Sequence, residues 1–202
     1  MVRPRAENYV ERQQGILDTA ASMFAMHGFN GTSISTLADE CGVSKALLYH
    51  YYDSKEALLY DMLLAHCKLL AKVAGDAVKE SADPELQLRD LVRALMELYV
   101  NSRDKHVVLL NDLHCLPDEQ QQEIKIEERR VLQVMKNAIK RLRPDTKSAE
   151  LTALTMYLMG AINWTYTWFR TPGTVSAREY ADLATSTFLN GLSMERGRPV
   201  RP

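Results

Sequence analysis

Apolar residues recur along this chain at helical spacing, and no stretch alternates convincingly between apolar and polar residues with a period of two. Between residues 7 and 27, for example, apolar side chains fall at positions i, i+1, i+4, i+5 and i+8, which lie on one face of a helix. Strict alternation is the mark of a half-buried strand, so its absence predicts an all-α fold. With 202 residues, the chain is long enough to bury a core without disulfides or metals.

Prolines and glycines divide the chain into nine expected helices. Gly28 follows the first of them, where a left-handed residue closes the last helical turn without a Cβ penalty. Residues 196–202 contain three Arg, two Pro and one Gly and are expected to form a disordered tail. The nine expected helices span residues 7–27, 34–40, 44–51, 55–80, 84–102, 105–113, 118–142, 147–169 and 176–192.

Charge and cysteine content bear on the partners of the chain and on the cellular compartment that it fits. The formal net charge of −1 gives no indication of a nucleic-acid partner. The three cysteines are widely spaced, which fits a reducing cytoplasm better than a secreted disulfide scaffold. The N-terminus lacks the apolar stretch of a signal peptide. The uncharged segment 151–169 is interrupted by Thr, Asn and Tyr, so a helix buried in a core or an interface is expected rather than a membrane span.

Two short helices joined by a glycine-containing turn follow the first long helix. The turn is Cys41-Gly42-Val43, and Ser44 stands where a capping residue would open the second helix. A pair of this kind can place its second helix in the major groove of DNA, which is about 12 Å wide. The apolar residues expected to hold the two helices at a fixed angle are Leu37, Ala38, Val43 and Leu48. Those left facing outward are Lys45, Ala46, Leu47, Tyr49 and His50.

This region resembles the tetracycline-repressor (TetR/AcrR) family of transcriptional regulators. The matching segments are Ile16-Leu17-Asp18-Thr19-Ala20-Ala21, Phe24-Ala25, Gly28-Phe29, Thr32-Ser33, Leu37-Ala38, Gly42-Val43-Ser44-Lys45, Leu48-Tyr49-His50-Tyr51-Tyr52 and Ser54-Lys55-Glu56-Ala57-Leu58. The resemblance implies a three-helix helix-turn-helix domain over residues 1–54 and a six-helix domain over 55–195 that binds a small molecule and dimerises. It further implies a homodimeric, ligand-responsive repressor of a palindromic DNA operator, with no cofactor, no metal and no catalytic residue.

Carried over by position, the resemblance also assigns individual contacts to DNA. Thr32 and Ser33 would touch phosphate from the start of the second helix, and Tyr49 and Lys55 would contact phosphates as well. The residues expected against the bases are Lys45, Ala46, Leu47 and His50. Chemistry agrees in part, because a lysine donates to guanine O6 and N7 and a leucine meets a thymine methyl group.

The charge of this domain does not favour DNA by itself. Over residues 1–55, acidic side chains outnumber basic ones by six to five, so attraction must come from where the charges lie. Arg3 and Arg5 would reach a minor groove if they formed an arm ahead of the first helix. The alternative is a disordered tail without a partner.

The later helices resemble regulators of aromatic-acid catabolism, above all phenylacetate-pathway repressors. The segments concerned are 111–117 and 160–169, and the resemblance suggests an acyl-CoA effector such as phenylacetyl-CoA. Polar residues in apolar surroundings are candidates for orienting such a ligand; they are Asn111, His114, Asn163 and Trp164. The alternative is that they satisfy hydrogen bonds in a crowded core. Arg170 is a further candidate for a CoA phosphate, against an ordinary exposed arginine at a helix end.

Two other functional classes are an enzyme and a sensor of metals or oxidants. His66-Cys67 and His114-Cys115 invite a metal or thiol site, but neighbours on a helix point about 100° apart and cannot chelate one metal without a partner segment. The sequence contains no Gly-rich phosphate loop, no H-E-x-x-H and no nucleophile elbow. A redox- or metal-responsive repressor of the same fold is the alternative function that stays open.

Overall fold

A computed structural model describes residues 3–79, 82–170 and 172–195, which form ten α-helices and no strand. The all-α prediction is therefore confirmed for the described chain. A short 3-10 turn, Leu113–Cys115, lies between the sixth and seventh helices. The helices are α1 Arg3–His27, α2 Ile34–Glu40, α3 Lys45–Tyr51, α4 Lys55–Ala77, α5 Pro84–Asn101, α6 Arg103–Asp112, α7 Asp118–Leu142, α8 Ser148–Asn163, α9 Thr165–Trp168 and α10 Ala177–Glu195.

Most helix ends fall within a few residues of the expected positions, but the first helix is longer. It begins at Arg3 rather than at residue 7, so the backbone of Arg3 and Arg5 is helical and does not form an extended arm. Gly28 closes this helix with a positive φ of 73°, as predicted, and its amide donates to the Phe24 carbonyl at 2.9 Å. Residue 80 and the predicted tail 196–202 lie outside the described residues.

The helix expected over residues 147–169 divides at Trp164 into α8 and α9. The Thr165 hydroxyl is buried and donates to the Ile162 carbonyl at 2.6 Å, and the Thr167 hydroxyl donates to the Trp164 carbonyl at 2.8 Å. Threonine hydroxyls that bond to nearby carbonyls offer the backbone an alternative to the regular helical ladder. Among the described helices, none combines the length and apolar character that a membrane crossing requires.

The chain forms two compact units, and neither is one continuous stretch. The first unit contains residues 1–68 and 102–126, so it joins α1, α2, α3 and the start of α4 with α6 and the start of α7. Within it, α1 packs against α6. Its fully buried large side chains include Phe24, Leu37, Leu48, Leu58, Leu59, Met62, Leu63 and Ile124.

The second unit contains residues 69–101 and 127–202, of which the described part holds α5, α8, α9, α10 and the later parts of α4 and α7. In this unit α10 packs against α5 and α8. The α5 stripe Leu88, Leu91, Val92, Leu95, Met96 and Tyr99 is buried, as expected for apolar residues at helical spacing. The predicted boundary between residues 54 and 55 is a division by function, and it stays a prediction.

Candidate nucleic-acid interface

The turn between α2 and α3 is fixed by its backbone hydrogen bonds. Gly42 adopts a φ of +64°, its amide donates to the Asp39 carbonyl at 3.0 Å, and the Val43 amide donates to the Ala38 carbonyl at 3.0 Å. These two bonds make a Schellman motif, in which a left-handed residue after the helix satisfies its last carbonyls. The angle between the two short helices is therefore set locally by a glycine.

The start of α3 is capped as the sequence predicted. Ser44 is extended, and its Oγ accepts a hydrogen bond from the Leu47 amide at 3.1 Å. Leu48 on this helix is buried, together with Leu37 and Ala38 on α2. Val43, in the turn, is half-buried. Capping and burial together hold a helix of only seven residues, too short to be stable alone.

The opposite side of α3 faces solvent. Lys45, Ala46, Tyr49 and His50 are exposed, and Leu47 is half-buried. Tyr49 is 49% exposed, a large aromatic side chain that the fold does not use for its core. This surface offers an ammonium, a phenol and an imidazole, which are groups that donate to phosphate oxygens and base edges.

The beginning of α2 adds two hydroxyls that lie close together. The Ser33 Oγ accepts from the Thr36 amide at 3.1 Å and lies 2.7 Å from the Thr36 Oγ1. Both residues are exposed. Ser33 was expected at this surface and Thr36 was not, although its place three residues after a capping serine was visible in the sequence.

Thr32 does not belong to this surface. Its side chain is 2% exposed, and its hydroxyl donates to the Gly28 carbonyl at 3.1 Å. Its amide donates to the Phe29 carbonyl at 3.3 Å. The hydroxyl and the amide are both engaged inside the turn, whose shape they hold, and a contact of Thr32 with phosphate stays a prediction.

Lys55 is half-buried and contacts the same turn. Its Nζ donates to the Phe29 carbonyl at 2.7 Å and to the Thr32 carbonyl at 2.9 Å, and it lies 4.2 Å from the centroid of the Phe29 ring. An ammonium has three N–H donors. Two of those of Lys55 point to protein carbonyls, and the predicted contact of Lys55 with phosphate stays a prediction.

The end of α3 is held by Tyr9 and Gln13 of α1. Tyr9 stacks on Tyr51 with the ring centroids 4.6 Å apart. The next residue, Tyr52, is buried, accepts from Gln13 Nε2 at 3.1 Å and donates to Asp61 Oδ2 at 2.8 Å. Burial, and then the bond to Asp61, raise the pKa of the Tyr52 phenol. No local pattern in the sequence predicts this chain of contacts, because Gln13 and Tyr52 lie 39 residues apart.

A second polar feature of the first unit lies in its interior. His66 on α4 and His106 on α6 are both buried, with Nε2 of the former 3.5 Å from Nδ1 of the latter. Burial, and then the positive charge of Lys105, lower the pKa of His66 to about 4. Burial, and then His66, lower the pKa of His106 to about 3. Both rings are therefore neutral near pH 7.

The four predicted ligand residues are divided between the two units. Asn111 and His114 belong to the first unit and are exposed. Asn163 and Trp164 belong to the second, where Trp164 is 63% exposed. The Asn163 Oδ1 atom is buried and has no hydrogen-bond partner among the described residues. A ligand role for these residues stays a prediction.

Arg170 lies at a surface groove of the second unit. The groove has a volume of about 380 Å³, and Glu97 and Glu179 also line it. The Arg170 guanidinium donates to the Phe169 carbonyl at 3.0 Å. Two nearby carboxylates make this groove a poor match for a CoA phosphate, which carries the same sign of charge.

The cysteines do not have the surroundings of reactive thiols. Cys67 is buried, and burial raises the pKa of both half-buried thiols, Cys41 and Cys115. A raised pKa lowers the fraction of thiolate, which is the form that reacts and binds metals. Over the described residues, no group of three or more His, Cys, Asp or Glu side chains is placed to hold a metal ion.

The second unit presents an uncharged exposed stripe on α8 and α10. Tyr157 of α8 stacks on Phe188 of α10 with the centroids 6.3 Å apart, so the two faces adjoin. Leu183 on α10 is 61% exposed. Large apolar and aromatic side chains that lie exposed together are typical of interaction sites. The exposed members are Thr152, Ala153, Met156, Tyr157 and Gly160 on α8, Trp164 directly after it, and Leu183, Thr187, Asn190 and Gly191 on α10.

Two family models match the chain in succession. The model of the bacterial regulatory proteins of the tetR family matches residues 16–62. The model of the tetracyclin repressor-like C-terminal domain matches residues 81–192, which is more than half of the chain. The first match contains both short helices and the turn between them.

Solved structures match over most of their length. A TetR-family transcriptional regulator from Bordetella parapertussis 12822 superposes with a TM-score of 0.86 at 37% identity, covering 88% of this chain and 94% of the other. AibR, in a complex with isovaleryl coenzyme A and operator DNA, superposes with a TM-score of 0.77 at 24% identity, covering 87% and 97%. At that identity the AibR match shows a common fold only.

Curated relatives match over shorter segments. The HTH-type transcriptional repressor KstR2 of Mycobacterium tuberculosis is 30% identical over 109 residues, which are 54% of this chain and 54% of KstR2. The chain spans between 18% and 39% of the length of three other curated relatives, which are also bacterial transcriptional regulators.

Proposed function

The chain belongs to the tetR family of bacterial regulatory proteins, and from this premise we propose that it is a dimeric DNA-binding repressor of a palindromic operator. The observation that carries the proposal is the solvent-facing side of α3, where Lys45, Tyr49 and His50 stand on a helix whose other side is fixed by Leu48 and by the Gly42 turn. A seven-residue helix held in this way fits the major groove.

In the proposed complex each exposed group of α3 has a distinct task. Lys45 donates to guanine or phosphate, Ala46 and Leu47 meet base edges and thymine methyl groups, and His50 donates to a base. Tyr49, with Ser33 at the start of α2, binds phosphate and sets the register. Because the first domain carries no excess of positive charge, affinity depends on these few contacts rather than on a general attraction.

Selection of DNA from a random duplex library tests this proposal directly. Duplexes retained by the native protein should converge on an inverted repeat whose half-sites match the two subunits of a symmetric dimer. Binding of the selected duplex is then measured by fluorescence anisotropy at several salt concentrations. Retention without any enriched sequence would contradict the proposal, since a repressor must tell its operator from other DNA.

The same proposal includes a homodimer formed through the uncharged stripe of α8 and α10. A C2 dimer brings the same patch of both subunits together, so the patch must tolerate contact with itself. A stripe without like charges, with Met156, Tyr157, Trp164 and Leu183 exposed in the single chain, meets this requirement. Light scattering after size-exclusion chromatography measures the state of the native protein.

A small-molecule effector, and an acyl-CoA such as phenylacetyl-CoA in particular, is the finer part of the proposal. AibR binds isovaleryl coenzyme A and operator DNA, which supports the idea that a protein of this fold accommodates such a thioester. Asn163, with its buried oxygen, is the candidate here for orienting the ligand. Binding would favour a state in which the two α3 helices no longer match successive half-sites. To change a 99:1 ratio of the DNA-binding state to the released state into 1:99, the ligand must bind the released state about 10⁴-fold more tightly.

Thermal unfolding against a ligand panel tests the effector. The panel contains phenylacetyl-CoA, other aromatic and fatty acyl-CoAs, the free acids and CoA alone. A ligand at about 100 times its dissociation constant adds about 2.7 kcal/mol to stability. A rise in Tm with one thioester and not with its free acid would support an acyl-CoA effector. No rise anywhere would contradict it, and DNA release by thiol alkylation or by a chelator would then favour the redox or metal alternative.

A further inference from the structure

We propose that Lys55 is a positioning residue, which holds the turn before α2 against the first turn of α4 and thereby presents the DNA-reading helices. This inference rests on the proposed function, because it concerns how the same surface is held in place. It differs from the role that the family resemblance suggested for Lys55, which was a direct contact with phosphate. The two roles make different predictions for binding.

The ammonium of Lys55 is bound on three sides by the turn. It donates to the Phe29 carbonyl at 2.7 Å and to the Thr32 carbonyl at 2.9 Å, and the Phe29 ring lies beneath it at 4.2 Å. Both bonds fall in the range of short, charge-assisted hydrogen bonds. The Phe29 ring is itself buried and packs edge-on against Phe24 of α1. One side chain of α4 thus joins the turn to the core.

The turn contains two glycines, and Thr32 is the residue within it that bonds back to it. It begins at Gly28, which has a left-handed φ of 73°, and it contains Gly31, where a Cβ would lie 2.3 Å from the His27 carbonyl oxygen. The Thr32 hydroxyl closes the turn from within, onto the Gly28 carbonyl. Glycines lose the most conformational freedom on folding, so a contact from outside the turn has a large effect on its order. Ser33, which caps α2, follows directly.

The arrangement leaves Lys55 little to offer a phosphate. Two of its three N–H groups are engaged by carbonyls, and the side chain is half-buried. A lysine that neutralises a phosphate contributes about 0.9 to the slope of log affinity against log salt. Removal of a lysine that only positions the surface lowers the affinity for the operator and leaves this slope unchanged.

The test compares Lys55→Met, which keeps an unbranched stem of similar length but has no N–H donor, with Lys55→Arg, whose guanidinium retains donors for both carbonyls. Lys45→Met is the matched control, because it removes an exposed lysine from the adjacent helix. Amide exchange of residues 28–36 is followed without DNA. Binding to a duplex selected by the native protein, and to a scrambled duplex, is measured over a salt series at a temperature where circular dichroism shows every variant folded.

We expect Lys55→Met to speed exchange in the turn and to lower operator affinity by at least about tenfold, with the native salt slope and little change on the scrambled duplex. Lys55→Arg should keep both the exchange rate and the operator affinity close to native. Lys45→Met should lower operator affinity without changing exchange in the turn. The Lys55 role is overturned if exchange is unchanged, if operator affinity is unchanged, or if the slope falls by about 0.9 with equal losses on both duplexes. If the native protein selects no duplex at all, the proposed function fails, and the role that depends on it fails too.

Discussion

Lys45 and Tyr49 are two exposed side chains of α3 that can form directed hydrogen bonds without disturbing the fold. Neither is buried, and the helix is held by Leu48 and by the Ser44 cap on its other side. Lys45→Ala should lower operator affinity by about tenfold to a hundredfold, the range for loss of one good contact to a base edge. Tyr49→Phe, which removes only a hydroxyl, should also lower it. Both are measured by anisotropy with the selected duplex.

The control for charge is Lys72→Ala, which removes an equally positive side chain from an exposed position. It should leave operator affinity unchanged, and all three variants should keep the native Tm and oligomeric state, because surface substitutions away from packed features change stability little. Native affinity in Lys45→Ala would show that α3 does not read the operator through its first residue.

For single residues, the sequence predicts which side chains are exposed better than it predicts which polar side chains are bound within the fold. Lys45 and Tyr49 were correctly expected on the outside, because the apolar residues Leu37, Ala38, Val43 and Leu48 account for the contact between the two short helices. Thr32 and Lys55 were expected on the same surface, but carbonyls of the α1–α2 turn engage both. Those contacts depend on how the turn folds back, which no local pattern contains.

The short helices depend on their turn, and Gly42 tests that dependence. It is left-handed, and a Cβ at this position would meet nothing within 4 Å, so the cost of a side chain is conformational only. Gly42→Ala should lower the free energy of unfolding by about 1–2 kcal/mol. Gly15→Ala, at an exposed helical position of α1 that is equally open, should raise it by about 0.5–1 kcal/mol. Urea unfolding measures both.

Asparagine tolerates the left-handed region better than alanine, so Gly42→Asn should lose less stability than Gly42→Ala. If both glycine-to-alanine variants changed stability in the same direction, the left-handed turn would not be what distinguishes the two sites.

The pair formed by α4 and α6 in the first unit should weaken in acid. Burial lowers the pKa of His66 to about 4 and that of His106 to about 3, against an ordinary value of about 6.5. Between pH 6.5 and about 4 the unfolded chain binds protons that the folded chain does not, so stability falls as the pH falls through this window. Where a histidine is protonated in the unfolded chain and neutral in the folded chain, it lowers the free energy of unfolding by about 1.4 kcal/mol for each pH unit of acidification. Above pH 7 neither contributes.

The neighbouring charges do not compensate for protonation of this pair. Lys105, which lies close enough to lower the pKa of His66, forms a 2.7 Å ion pair with Asp18 of α1. Urea unfolding at pH 7 and at pH 5 measures the effect, and His66→Gln should reduce the difference between the two. His50→Gln, at an exposed histidine of α3, is the control. An undiminished difference in His66→Gln would mean that other groups cause the loss.

Among whole elements, the helices follow from local pattern, and their interruptions do not. The buried stripe of α5 and the cap of α3 were visible in the sequence as spacing and as a serine in the right place. The break between α8 and α9 was not, because the uncharged run continues across it. The break depends on the Thr165 hydroxyl, which donates to the Ile162 carbonyl. The burial of Thr165 that favours this bond is not visible in the sequence.

For the molecule as a whole, order along the chain does not determine which helices pack together. The α6 helix lies more than fifty residues after α3, yet it belongs to the same compact unit and packs against α1. Asn111 and His114, two residues predicted to bind the ligand, therefore lie in the same unit as α2 and α3. Long-range packing of this kind follows from complementary surfaces rather than from local spacing.

Dimerisation decides whether two DNA-reading surfaces act on one operator, and Leu183 is the residue that tests it most directly. It is 61% exposed on the uncharged stripe, so Leu183→Glu should leave the folded subunit intact while placing two unpaired carboxylates in the proposed interface. Light scattering should then report a monomer, and operator affinity should fall because each half-site must be bound separately. Leu86→Glu is the matched control, since Leu86 is 50% exposed on α5 and outside the stripe. It should stay dimeric and bind the operator with native affinity.

A dimeric Leu183→Glu with native affinity would place the interface elsewhere. A monomer that bound the full palindrome as tightly as the native protein would show that a symmetric operator does not require a dimeric repressor.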